Sequence, residues 1–268
     1  MLSTFFSLVV LVYSASVGLL YIAQRSLMYQ PDRSLISPAM SGIPEVSPIL
    51  ITTSDGITLE SWYSPPTTSA QILVYFHGNA GNIADRASKA LPYINAGFGV
   101  MLVGYRGYGG NPGDPTETGL YHDASAALKH LKSLGFNPNT WVLYGESLGS
   151  GVAVEMAERY AINNTPVGAL ILEAPFTSMA DAAAKHYPFI PARALVKDRY
   201  DSQSKIAKIN TKLLILHRNL DRVVPFPLGK KLFDQASMPK HFHEVKGAGH
   251  NNLYEFGAFD LIVEFLKH

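Results

Sequence analysis

Three residues that could together carry out acyl transfer occur in the order Ser147, Asp221, His250, each just beyond a short apolar run. Ser147 lies in "VLYGESLGSGVA", where Gly145 and Gly149 complete the pattern GxSxG. A serine hydroxyl attacks a carbonyl only when a base takes its proton and an acid orients that base. "VKGAGHNNLYEF" offers His250 as the base, in a glycine-rich loop before the last helix, and "LLILHRNLDRVVPF" offers Asp221 as the acid. Glu173, near the end of "GALILEA", is the alternative acid, because a carboxylate there would enter the same crevice. The tetrahedral intermediate also needs two N–H donors for its oxyanion. In "VYFHGNAGN", Gly78 and Gly81 let the chain turn after a strand, which would aim the N–H of Asn79 into the crevice beside that of Leu148. Asn82 suits an amino-terminal helix cap in the same loop.

These residues act together only if one scaffold brings the ends of several strands to a single crevice. Apolar runs at "QILVYF", "FGVMLVGY", "WVLYG", "GALILEA", "KLLILH" and "HFHEV" alternate with segments of helical periodicity near 82–95, 117–134, 148–161, 227–236 and 252–267. Such alternation predicts an α/β fold, a mainly parallel sheet with helices on both faces. Loops at the carboxyl ends of parallel strands converge, and Ser147 would sit at one such strand-to-helix turn with a helix amino end aimed at it. "ILITTSDGITLESWYSP" reads as a leading hairpin turning at Asp55 and Gly56. The stretch between Ala174 and Lys212 has no strand signal and is expected to form a small cap, at about 175–211, with one or two short helices.

The 268 residues carry a net charge of +1 and no cysteine. That balance gives no basic surface for nucleic acid, and the lack of thiols excludes disulfides, thiolate metal sites and a cysteine nucleophile. Leu2 to Ala23 has no charged side chain and is long enough to cross a bilayer. Residues 1–26 are therefore read as a membrane anchor, with a cleaved signal peptide as the alternative, and 27–268 as the hydrolase domain. Arg25 and Arg33 just beyond the segment lean toward a cytoplasmic catalytic domain, although Asp32 lies between them.

"VYFHGNAGN", "GYRGYGGNPGDPTETGLYHDA", "YGESLGSGVA", "LEAPFTS", "HRNLDRVVP" and "GAGHNN" together resemble the α/β-hydrolase superfamily, in particular its membrane-anchored serine aminopeptidase-like or bud-emergence-type members. The resemblance implies Ser147 as nucleophile, Asp221 as acid, His250 as base, and Asn79 and Leu148 as oxyanion donors. Two positions depart from the pattern: Gly104 stands where aspartate is common, and Arg218 stands where glycine is usual, in the loop that leads to Asp221.

The expected activity is a membrane-tethered serine hydrolase acting on a carboxylic ester or thioester, with a small-molecule or lipid-like acyl substrate and no cofactor. Two alternatives stand beside it: a serine peptidase, and an α/β-hydrolase scaffold that binds a ligand or partner without turnover. His241, His243 and Glu244 alternate on one strand face but lack a further clustered ligand pair, so "KHFHEV" is read as an exposed edge strand rather than a metal site. The glycine-rich "GYRGYGGNPG" lacks a nucleotide-binding pattern and is read as a loop bordering the crevice.

Overall fold

A computed structural model of the chain describes residues 2–247 and 253–267. It begins with helix α1 (Leu2–Met28), which has no buried residue. The segment after it is ordered: β1 (Gln30–Pro31) precedes a short 3-10 turn, and Ile43 and Val46 enter the core. The antiparallel pair β2 (Ser47–Thr52) and β3 (Thr58–Ser64) then leads to β4 (Ile72–Phe76) and the two-residue β5 (Ala80–Gly81).

Helix α2 (Ala87–Asn95) follows a 3-10 turn at Ile83–Arg86, and the chain continues through β6 (Gly99–Leu102), α3 (Glu117–Ser133), β7 (Trp141–Glu146) and α4 (Leu148–Ile162). After β8 (Ala169–Glu173) come the short helices α5 (Met179–His186) and α6 (Ala192–Leu195). The last elements are β9 (Lys212–Arg218), α7 (Phe226–Gln235), β10 (Lys240–Val245) and α8 (Ala258–Lys267).

Eight strands form one sheet in the order β10-β9-β8-β7-β4-β6-β3-β2, parallel from β10 to β6 and antiparallel at β3 and β2. β4, β6 and β8 are buried along their whole length, as expected of strands covered on both faces. One core cluster joins Val74, Leu143, Val152 and Leu170 on one side of the sheet, and a second joins Leu73, Val100, Ile171 and Ile262 on the other.

The hairpin turns through more than the expected two residues. Thr53 N donates to Ile57 O at 2.8 Å and Gly56 N to Thr53 O at 3.0 Å, so the strands are joined by a wider loop with Gly56 at φ +85°. "KHFHEV" is the edge strand β10, and no group of three or more metal-ligating side chains occurs among the described residues.

Candidate active site

β7 is buried from Trp141 to Gly145, and the chain passes from it into α4 within one residue, Ser147. That residue has φ +50° and ψ −115°, outside the regions an L-residue normally occupies. Such a conformation costs on the order of 1–3 kcal/mol and persists only where the surroundings enforce it. Here Ser147 N donates to Glu173 O at 2.8 Å and Ser150 N donates to Ser147 O at 2.9 Å. The flanking glycines let α4 press against the sheet: a Cβ on Gly149 would lie 2.0 Å from Phe76 O, and one on Gly145 would lie 2.5 Å from Ser150 Cα. The GxSxG spacing is therefore a packing requirement of a sharp elbow.

Ser147, Leu148 and Asn79 line one cavity of about 280 Å³. Leu148 is the first residue of α4, so its N–H has no partner one turn earlier and belongs to the positive end of the helix. Asn79 sits between β4 and β5 and is held from three sides. Its side-chain Nδ2 donates to Met28 O at 2.7 Å, while its carbonyl accepts from Gln30 N at 2.9 Å and from the Tyr108 hydroxyl at 2.7 Å. Asn82 caps the following turn, accepting from Ala84 N at 2.8 Å while its own N–H donates to Asp85 at 2.9 Å. The capping role read for Asn82 thus occurs in the same loop that places Asn79 in the cavity lining.

Tyr105 and Tyr108, in the glycine-rich loop after β6, bond to this loop and are not among the cavity-lining residues. The Tyr105 hydroxyl donates to His77 O at 3.4 Å, and the Tyr105 ring lies 4.1 Å from the His77 ring. His77 is fully buried. Burial, with the Arg86 charge acting in the same direction, pushes its imidazole down to about 3. A neutral imidazole whose Nδ1 donates to Gly78 O at 2.8 Å accounts for that geometry.

The two candidate acids have different surroundings. Glu173 Oε1 accepts from Arg218 Nη2 at 2.8 Å, and Oε2 accepts from Lys89 Nζ at 3.1 Å and from the Tyr144 hydroxyl at 2.6 Å. Lys89 also reaches Glu146 at 3.1 Å, and Arg86 pairs with Glu146 at 2.9 Å. Burial alone would raise the Glu146 carboxyl, but Lys89 and Arg86 hold it well below the usual carboxylate range. Glu173 thus belongs to a buried ionic cluster behind the elbow. Arg218, whose effect on the Asp221 loop the sequence left open, points into this cluster and is fully buried.

Asp221 lies beyond β9 with its side chain buried. Its Oδ1 accepts from Val223 N and Val224 N, both at 2.9 Å, and its Oδ2 is 3.7 Å from His217 Nε2. Val223 and Val224 line the Ser147 cavity, so the loop that fixes Asp221 borders the nucleophile. His250 falls outside the described residues. The other departure, Gly104, has a steric cause: a Cβ there would lie 1.9 Å from Glu60 O.

Mostly apolar side chains make the rest of the cavity wall. Phe176, Met179, Tyr187, Ile190 and Leu195 come from the segment between β8 and β9, which carries the two short helices α5 and α6. The opposite side was not anticipated. Val17, Leu20, Tyr21, Gln24, Leu27 and Met28 of α1 line the same space.

The sequence pattern of the alpha/beta hydrolase fold matches residues 71–200. The chain is 34% identical over 233 residues to protein bem46 of Schizosaccharomyces pombe, covering 83% of this chain and 77% of that protein. It is 34% identical over 201 residues to lysophosphatidylserine lipase ABHD12 of Danio rerio, a match that takes in 69% of this chain and spans about half (52%) of the lipase. Among solved structures, an alpha-beta hydrolase from Vibrio vulnificus superposes with a TM-score of 0.73 at 22% identity, over 87% of this chain and 88% of that one. That likeness establishes the fold.

Proposed function

This chain belongs to the α/β-hydrolase fold family, and we propose that it is a membrane-tethered serine hydrolase that cleaves a carboxylic ester or thioester through an acyl-enzyme. The observation that carries the reading is Ser147, held at φ +50° on the floor of an apolar cavity, with Asn79 and Leu148 lining the same space. In the proposed reaction His250 removes the Ser147 proton as Oγ attacks the carbonyl carbon, while Asp221 orients the imidazole. The N–H groups of Asn79 and Leu148 stabilise the oxyanion. Collapse of the intermediate breaks the ester bond, and the leaving group takes the proton from His250. Water, deprotonated by the same histidine, then attacks the acyl carbon and frees the acid and Ser147.

The cavity wall favours an acyl chain over a peptide, because its side chains are aliphatic or aromatic except for a few polar groups such as Gln24 and His186. The lysophosphatidylserine lipases among the relatives support a lipid with a single acyl chain. Helix α1 is 27 residues long and contains an 18-residue stretch with a mean hydropathy of 2.1, enough to cross a bilayer once. Arg25 in its last turn and Arg33 beyond it support a cytoplasmic catalytic domain.

Hydrolysis of p-nitrophenyl butyrate by the full chain tests the reading. Ser147→Ala is expected to lower kcat by roughly 10⁴- to 10⁶-fold. Unchanged turnover in that variant would dismiss Ser147 as nucleophile.

A further inference from the structure

We propose that α1 is a wall of the active site as well as an anchor: an acyl chain esterified to Ser147 would lie between α1 and the cap, entering sideways from the bilayer. This rests on the serine-hydrolase reading and assigns the substrate's chain a location. The α1 positions that line the cavity, Val17, Leu20, Tyr21, Gln24, Leu27 and Met28, recur at helical spacing and so form one stripe along α1. Opposite them, the cap closes the space down to Ser147.

The helix is fastened to the cap by specific polar contacts. Gln24 Oε1 accepts from Lys197 N at 2.8 Å and Gln24 Nε2 donates to Leu195 O at 3.3 Å. Arg25 grips the buried Asp198 with contacts of 2.7 and 3.2 Å, and Asp198 also accepts from Glu117 N at 3.1 Å. Further along α1, the Tyr13 hydroxyl donates to Phe189 O at 2.8 Å.

That last contact sets the depth. A hydrocarbon layer of about 30 Å takes up about 20 helical residues, from Leu2 to about Tyr21. Tyr13 then lies inside it, and so does the α5–α6 turn bonded to Tyr13. Phe189 of this turn is 87% exposed and Tyr187 47%, which suits lipid contact and not water. Gln24, Arg25, Lys197 and Asp198 fall on the aqueous side. The cavity therefore runs from within the bilayer to Ser147 near the headgroups, so a lipid can keep its chain in an apolar medium while its ester reaches the nucleophile. A volume of about 280 Å³ is at the lower limit of ligand pockets, which span roughly 300–1,000 Å³, and suits one chain.

The test uses the full chain in phospholipid nanodiscs. Each methylene kept out of an apolar site weakens binding by roughly fourfold. Leu20→Trp should therefore lower the ratio of dodecanoate to butanoate p-nitrophenyl ester hydrolysis by about tenfold or more. Leu11→Trp, on the same helix but outside the cavity, should keep the parent ratio. An unchanged ratio in Leu20→Trp would overturn the proposal.

Because the chain has no cysteine, Leu20→Cys supplies a second readout that tolerates any loosening caused by tryptophan. Its alkylation by N-ethylmaleimide should slow when Ser147 carries a dodecyl phosphonate but not an ethyl phosphonate, and equal rates with both would also overturn the proposal. Failure of the phosphonates to label Ser147 would instead remove the hydrolase reading, and this proposal with it.

Discussion

The side chain of Asn79 donates to the carbonyl of Met28, the last residue of α1, at 2.7 Å. The candidate oxyanion loop is thus tied to the end of the apolar helix, and the parallel pairing of Gln30 with Ala80 and Pro31 with Gly81 extends the tie. Deleting residues 1–28 should lower kcat even for short esters that never reach the α1 wall. Tyr108→Phe, which removes the hydroxyl donated to Asn79 O, should lower kcat by about 10- to 100-fold with little change in KM. That is smaller than the roughly 10²- to 10³-fold loss expected when a donor itself is removed. Steady-state kinetics on p-nitrophenyl butyrate would show the split.

The two carboxylates should respond differently to neutralisation. Asp221→Asn is expected to cost about 10⁴-fold in kcat while leaving the fold intact, because the amide oxygen can still accept from Val223 and Val224. Glu173→Gln leaves Arg218 and Lys89 in a buried cluster short of one negative charge and should cost about 3–5 kcal/mol of stability. Urea unfolding alongside kinetics separates the two. A Glu173→Gln protein of parental stability with activity abolished would instead make Glu173 the catalytic acid.

Gly104→Asp, which restores the residue common in the superfamily, should prevent folding. Its Cβ would come within 1.9 Å of Glu60 O and 2.8 Å of Asn111 Nδ2. Gly104→Ala should fail for the same reason, and soluble, cooperative folding of either variant by circular dichroism would refute this packing argument.

Buried His77 makes stability depend on pH. Its folded-state value of about 3 lies below the ordinary 6.5, so below pH 6.5 the unfolded chain binds a proton that the native chain refuses. Its contribution is fully present above pH 6.5 and is lost as pH falls toward 3, at about 1.4 kcal/mol per pH unit. Thermal unfolding from pH 7 to pH 5 should show a falling Tm. His77→Asn, which can still donate to Gly78 O, should flatten that slope even if its Tm at pH 7 is lower.

Much of the scaffold was legible because it depends on local pattern. Short apolar runs separated by amphipathic segments specify a parallel sheet, and glycines two residues either side of Ser147 specify a tight elbow. The choice between Asp221 and Glu173 was less legible, since one lies just beyond the end of a strand and the other at the end of its neighbour. What separates them is Lys89 and Arg218 closing on Glu173 from distant points of the chain. The role of α1 was hidden for a different reason. A helix apolar all round has no distinct face to announce a partner, and Arg25, read from the sequence only as a sign of membrane orientation, turns out to bond Asp198. β1 and β5, two residues each, are too short to show a period at all.

The central claim is that Ser147 is an activated nucleophile, and covalent labelling of the full chain by a fluorophosphonate tests it most directly. One adduct per chain, mapped by mass spectrometry to Ser147 and absent from Ser147→Ala, is the predicted result. A folded parent that takes no label, or takes it at another serine, would contradict the account.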